Sequence, residues 1–333
     1  MENEKVSNYQ YFLVYLHCLN ITTMKNRRRP FISGILNHVY QRTIDGFLLF
    51  YSFIDYLVHF TIMCILAERY GITVLSFCQM PDHTHGGFIS QEKKELAAFM
   101  RDLSMWFAKY GQAPQCRRGE IFSRHYGSAP KNGDKKARST LIYIGNNPVE
   151  RRLVKRAEEY RWNYLAYAKS DHPFSERLMK RDASNALKRA LTEVDSTHAK
   201  DLPLSYNLLK RLFSKLNKRD VQQLIDYIIT TYNVIDYDTA TRFFDSYDNM
   251  IGAMHYNSGS EYDINETFTG RSDTCYSDIT AWLMLNLHLN DIHDIFLMTD
   301  EERTDLLFRI YKTTSVNPKM IAKYLRLKIE KST

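Results

Sequence analysis

The chain has 333 residues, a formal net charge of +7, 44% hydrophobic and 25% charged residues, and only 13 glycines and 8 prolines. That length allows two domains or one large one, and the composition excludes disordered, collagen-like and fibrous classes. The five cysteines, Cys18, Cys64, Cys78, Cys116 and Cys275, are odd in number and form no C-x-x-C pair; this excludes a disulfide frame or thiolate zinc site and predicts reduced thiols in a cytoplasmic protein.

The first residues, Met1-Glu2-Asn3-Glu4-Lys5, are polar with no apolar stretch behind them, so no signal peptide is expected. Tyr9 to Asn20 reads as a strand, and the basic loop that follows carries Arg27, Arg28 and Arg29 before Pro30. Phe31 to about Leu66 is helical in period, with a break at Thr43-Ile44-Asp45-Gly46. Asp55 and His59 interrupt its apolar part, which predicts a buried helix and no membrane span.

The apolar run Ile72 to Cys78 leads into Gln79-Met80-Pro81-Asp82-His83-Thr84-His85-Gly86-Gly87-Phe88. Strand side chains alternate, so His83 and His85 share a face about 7 Å apart. Two imidazoles do not saturate an ion, and no cysteine lies near them to complete a zinc tetrahedron. An incomplete N/O set suits Mg²⁺ or Mn²⁺, completed by water and phosphate oxygens. Ser90 then caps a predicted helix with Leu96, Phe99, Met100, Leu103, Trp106 and Phe107 on one face, reaching about Tyr110. Gly119 to Tyr126 reads as a strand.

A helix is expected from Asp134 to about Asn146, ended by Pro148. Tyr143 and Asn147 are spaced i, i+4 and share a helix face. A tyrosine hydroxyl beside a divalent ion can attack a phosphodiester, and an asparagine carbonyl is a competent hard-metal ligand. The order predicts an α+β domain with a small antiparallel sheet over residues 1–172. Residues 173–333 are helical in period, with a candidate helix-turn-helix near 299–328 whose second helix could read a duplex groove. Thr299 and Glu302 form its capping-box start.

Charge is uneven along the chain. Residues 101–170 hold 15 Lys/Arg against 6 Asp/Glu, and residues 230–305 hold 3 against 15. The basic stretch points to a polyanionic partner such as nucleic acid, or to two oppositely charged faces that attract each other.

Three segments carry a family resemblance. Gln79-Met80-Pro81-Asp82-His83-Thr84-His85 resembles the M-P-N-H-V-H element of the single-tyrosine HUH transposases, especially the REP-associated tyrosine transposases. Tyr143-Ile144-Gly145-Asn146-Asn147-Pro148-Val149-Glu150-Arg151 is similar to their Y-I-x-x-N-P-V-x-A element. Glu158-Glu159-Tyr160-Arg161-Trp162-Asn163 is similar to E-D-Y-x-W-S-S. Order and spacing fit over about residues 8–168, as does Arg28-Arg29-Pro30-Phe31 after the expected first strand.

The resemblance implies a ferredoxin-like domain in which His83, His85 and Asn147 hold a divalent metal, Mg²⁺ or Mn²⁺. Tyr143 would attack single-stranded DNA flanked by hairpin or palindromic repeats, leaving a 5′-phosphotyrosine and a free 3′-OH. A bacterial, nucleoid-associated protein, monomer or homodimer and off the membrane, is the expected setting. Arg117, Arg118, Arg124, Lys131, Lys135, Lys136, Arg138, Arg151, Arg152, Lys155 and Arg156, with Arg27, Arg28 and Arg29, would then be phosphate contacts, and Trp162, Tyr126 or Phe122 base-stacking groups.

Thr84, Asp82, Gly86-Gly87 and Arg151 depart from the family pattern. Asp82 could orient a histidine, and the two glycines could loosen the strand end. The competing reading is a catalytically silent DNA- or RNA-binding regulator on the same fold. A replication or mobilisation nickase is disfavoured by the single candidate tyrosine and the lack of a helicase segment.

Overall fold

A computed structural model of the chain describes residues 30–111, 121–123, 126–256 and 272–328. The expected strand at Tyr9–Asn20 and the residues Arg27, Arg28, Arg29, Arg117, Arg118 and Arg124 lie outside that set.

The sheet is built from β1 (Leu36–Arg42), β2 (Thr73–Met80), β3 (His83–Ile89) and β4 (Gly127–Pro130). Helix α1 (Phe53–Arg69) lies in sequence between β1 and β2, and α2 (Lys93–Trp106) between β3 and β4. The strands are antiparallel in the order β2-β3-β1-β4, which with this β-α-β-β-α-β succession is the ferredoxin-like arrangement. The expected α+β class with a small antiparallel sheet is what the chain forms.

β1 corrects the helix expected from Phe31 onward. Leu36, Val39 and Tyr40 fit a helical spacing, but His38, Tyr40 and Arg42 alternate with Asn37, Val39 and Gln41 across a strand paired on both edges. The expected break at 43–46 separates this strand from α1, where the buried helix does form. Of the strand expected at Gly119–Tyr126, Gly119, Glu120, Arg124 and His125 lie outside the described residues; Phe122 makes an isolated bridge to Thr43, and β4 forms at Gly127–Pro130.

Glycines let aromatic rings lie flat on the sheet at two places. A Cβ on Gly86 would meet the Phe88 ring at 2.2 Å, and one on Gly127 would meet the Tyr40 ring at 2.1 Å. Far from loosening the strand, Gly86 seats Phe88 against Phe99, with ring centroids 5.2 Å apart.

Helix α3 (Asp134–Glu150) follows β4 and packs against β2 and β3. It does not end before Pro148. Proline removes the bond its own nitrogen would donate and crowds the carbonyl four residues back, yet the turn continues and the Arg151 amide reaches the Asn147 carbonyl at 3.1 Å.

The chain continues through α4 (Asn185–His198), α5 (Tyr206–Phe213), α6 (Lys218–Tyr232), α7 (Tyr237–Arg242) and α8 (Tyr247–Tyr256). By contacts, residues 29–44 and 49–274 fall in one compact unit that runs across position 172. The Tyr167 hydroxyl donates to Asp226 at 2.7 Å, Tyr237 to the Tyr164 carbonyl at 2.8 Å, and the Asn146 amide to the Met254 carbonyl at 2.7 Å. Gly145 lets Met254 approach α3, since a Cβ there would meet its sulfur at 2.7 Å.

Residues 45–48 and the described residues from 275 on belong to a second unit, with α9 (Cys275–Leu287), α10 (Asp300–Thr313) and α11 (Pro318–Tyr324). The Thr299–Glu302 capping box is present. Every residue of α11 is buried or half-buried, and Arg303 donates to the Leu325 carbonyl at 2.8 Å.

Candidate functional site

β3 positions both histidines as their spacing predicts. His83 and His85 project from one face, with Thr84, Gly86 and Phe88 on the other. Their rings meet edge to face, centroids 4.8 Å apart. A short turn, Pro81-Asp82, carries the chain from β2 into β3, and the Asp82 carboxylate sits 2.5 Å from His83 Nδ1. That contact places the His83 proton on Nδ1 and leaves a lone pair on Nε2.

The end of β2 is tied down from below. Tyr160 donates to the Gln79 carbonyl at 2.9 Å, and burial pushes the Tyr160 hydroxyl well up, keeping it a donor. Gln79 donates to the Tyr56 carbonyl and to His59 Nδ1, both at 3.1 Å, and accepts from Tyr164. The Glu158–Asn163 segment therefore anchors the strand entering the histidine turn. Its Trp162 stacks on Tyr56 at 4.5 Å, and Phe122 packs against Phe107 at 6.1 Å, so these two expected base-stacking groups are engaged internally.

Helix α3 brings Tyr143 and Asn147 over the same imidazole. The Asn147 amide nitrogen lies 3.1 Å from His85 Nε2, and the Tyr143 ring stands edge-on to His85, centroids 5.3 Å apart at 83°. All four predicted residues are thus together. Strand β1 adds one that the sequence did not announce. His38 Nε2 is 3.0 Å from His85 Nδ1, and its ring is 5.6 Å from that of Tyr143.

The centre is closed, with Tyr143 3% and His85 0% exposed. His83 Nε2 and Asn147 Oδ1 are buried and have no hydrogen-bond partner among the described residues. A buried polar atom without a partner is costly, and here two such atoms flank one imidazole. Among the described residues no three His, Cys, Asp or Glu side chains gather as a metal site, and the oxygen donor expected from sequence beside the two imidazoles is the Asn147 carbonyl. His83 Nε2, His85 Nε2 and Asn147 Oδ1 are an N/N/O set that fits a hard divalent ion. Burial pushes the Cys78 thiol, on the neighbouring strand, well up, so it offers no thiolate.

The basic residues divide around α3. Lys135, Lys136 and Arg138 are exposed on its first turns, and Arg152, Lys155 and Arg156 are exposed just beyond its last. Arg151 is half-buried, and Lys131 is buried at the end of β4, which removes it from a surface phosphate path. At 17 residues, α3 separates the two groups by about 25 Å. Arg42, a second residue that sequence reading missed, is exposed at the end of β1, opposite His83 in register.

No family model and no curated protein matches the chain. Among solved structures, a REP-associated tyrosine transposase bound to a REP hairpin is similar at 15% identity and a TM-score of 0.39, over 47% of this chain and 99% of that one. A likeness this distant assigns no residue a role. Among the described residues, no helix is long and apolar enough to cross a membrane.

Proposed function

We propose that this chain cuts and rejoins single-stranded DNA, as the single-tyrosine transposases it resembles do, with Tyr143 as nucleophile. The observation that carries the reading is the meeting of Tyr143 and Asn147 with His85, beside the unpartnered His83 Nε2 and Asn147 Oδ1. His83, His85 and Asn147 would hold Mg²⁺ or Mn²⁺, which supplies positive charge to a phosphate in attack. The Tyr143 oxygen forms the new bond to phosphorus and the P–O3′ bond breaks. The tyrosine proton passes to the leaving 3′-oxygen, directly or through water, and the product is a 5′-phosphotyrosine with a free 3′-OH. Reversing the attack rejoins a strand without an energy source.

The exposed basic groups at the two ends of α3 would bind phosphates on either side of the scissile one. DNA flanked by hairpin or palindromic repeats is the proposed partner, and the protein acts as a monomer or homodimer.

The burial of Tyr143 favours a second reading, a nucleic-acid-binding regulator that keeps the fold without turnover. One assay separates them. Protein, Mn²⁺ and labelled single-stranded oligonucleotides from its own flanking repeats should give an SDS-stable adduct. DNA retention without an adduct would leave only the regulator, and an adduct surviving Tyr143→Phe would remove Tyr143 as nucleophile.

A further inference from the structure

We infer that His38 is a positioning residue which fixes the tautomer of His85, so that His85 Nε2 presents a lone pair to the centre of the site. The side-chain nitrogen of Asn147 can only donate, and it lies 3.1 Å from His85 Nε2. Nε2 is therefore the acceptor, and the proton of a neutral His85 sits on Nδ1. That Nδ1–H needs an acceptor of its own in a fully buried place. His38 Nε2, 3.0 Å away, supplies it when the proton of His38 sits on its own Nδ1.

Without His38 the choice would be nearly balanced. A carboxamide can turn over, offer its oxygen to an Nε2–H, and leave Nδ1 as the lone pair. An imidazole protonated on Nε2 cannot ligate a metal through that atom. His38 in its Nδ1–H form breaks the tie by offering an acceptor at His85 Nδ1, and its placement is rigid. His38 is buried on β1, which is paired to β3 over its whole length, and its ring stacks near-parallel to that of His85, 5.2 Å apart at 20°. His83 is oriented in the same sense by Asp82, so both imidazoles would be held Nδ1–H by neighbours on the sheet.

The purpose of this arrangement rests on the proposed metal site; its measurement does not. In histidine-selectively ¹⁵N-labelled, metal-free protein, long-range ¹H–¹⁵N spectra should show His85 as the Nδ1–H tautomer. His38→Gln, which carries an acceptor to a similar reach, should keep that signature. His38→Phe keeps a flat ring without the acceptor and should move His85 toward Nε2–H. Mn²⁺ affinity, read by calorimetry or electron paramagnetic resonance, should then fall about 10–100-fold in His38→Phe and recover in His38→Gln.

An Nε2–H His85 in the wild type overturns the inference. So does an unchanged Nδ1–H signal in folded His38→Phe, or its loss in His38→Gln. Should His38→Phe fail to fold, the wild-type and His38→Gln spectra decide it alone. A wild type with the Nδ1–H signature that binds no Mn²⁺ keeps the role of His38 and removes the metal reading instead.

Discussion

The two faces of the sheet solve different problems. One face carries Val74, Phe77, Gly86 and Phe88, whose rings close on Phe99 at 5.2 Å and on His59 at 5.9 Å. Its polar insertion, Gln79, has both ends of its amide occupied. The other face carries His38, Tyr40, Arg42, His83 and His85, covered by Tyr143 and Asn147. Cys78 and Met80 on this face pack with Tyr143 and Ile144, yet burial also leaves His83 Nε2 and Asn147 Oδ1 without partners among the described residues. Substitutions of the polar groups on this face and of the rings on the other should therefore fail in different ways.

The largest effect belongs to the site face. Tyr143→Phe should abolish the SDS-stable DNA adduct while changing unfolding free energy by no more than about 1.5 kcal/mol, since only a hydroxyl is lost. Adduct formation and urea denaturation, measured on one preparation, check both halves. Equal losses on both measures would erase the contrast between the faces. On the aromatic face, Phe88→Ala should cost about 3–5 kcal/mol of stability by urea denaturation, and a cost under about 1 kcal/mol would mean these rings add little cohesion.

Gly86→Ala should cost about 1–3 kcal/mol, because its Cβ would sit 2.2 Å from a ring already held by Phe99 and Phe77. Gly87→Ala, on the site face, meets nothing closer than 3.1 Å and should cost less. Equal melting points for the two variants would contradict the packing described.

The remaining effect depends on pH. Burial lowers the pKa of His59 from 6.5 to about 3. The unfolded chain then takes up its proton first, so the stability gained by holding a neutral His59 is whole above pH 6.5. It falls by about 1.4 kcal/mol for each pH unit as pH drops toward 3. His59→Asn keeps an acceptor for Gln79 and should flatten that part of the slope. Parallel urea midpoints for wild type and variant from pH 7 to 5 would refute the burial argument.

Much of the site was legible because its rules are local. Two residues apart on a strand put His83 and His85 on one face, and four apart on a helix did the same for Tyr143 and Asn147. Helix α2 showed itself through Leu96, Phe99, Met100 and Leu103. Strand β1 did not, because it is paired on both edges and its apolar residues suit a helix as well as a strand. His38 and Arg42 were hidden with it. Nor could Pro148 be read correctly, since the packing of α3 on β2 and β3 carries the helix two residues past it. That Trp162 packs on Tyr56 is a tertiary fact with no sequence signature.

The near-complete cover over Tyr143 has a consequence for the fate of a cut strand. On the proposed chemistry, a phosphotyrosine formed where bulk water does not reach would be protected from hydrolysis, the reaction that would turn a strand exchange into an irreversible break. The acceptor able to resolve it would then be a 3′-hydroxyl delivered by the DNA itself.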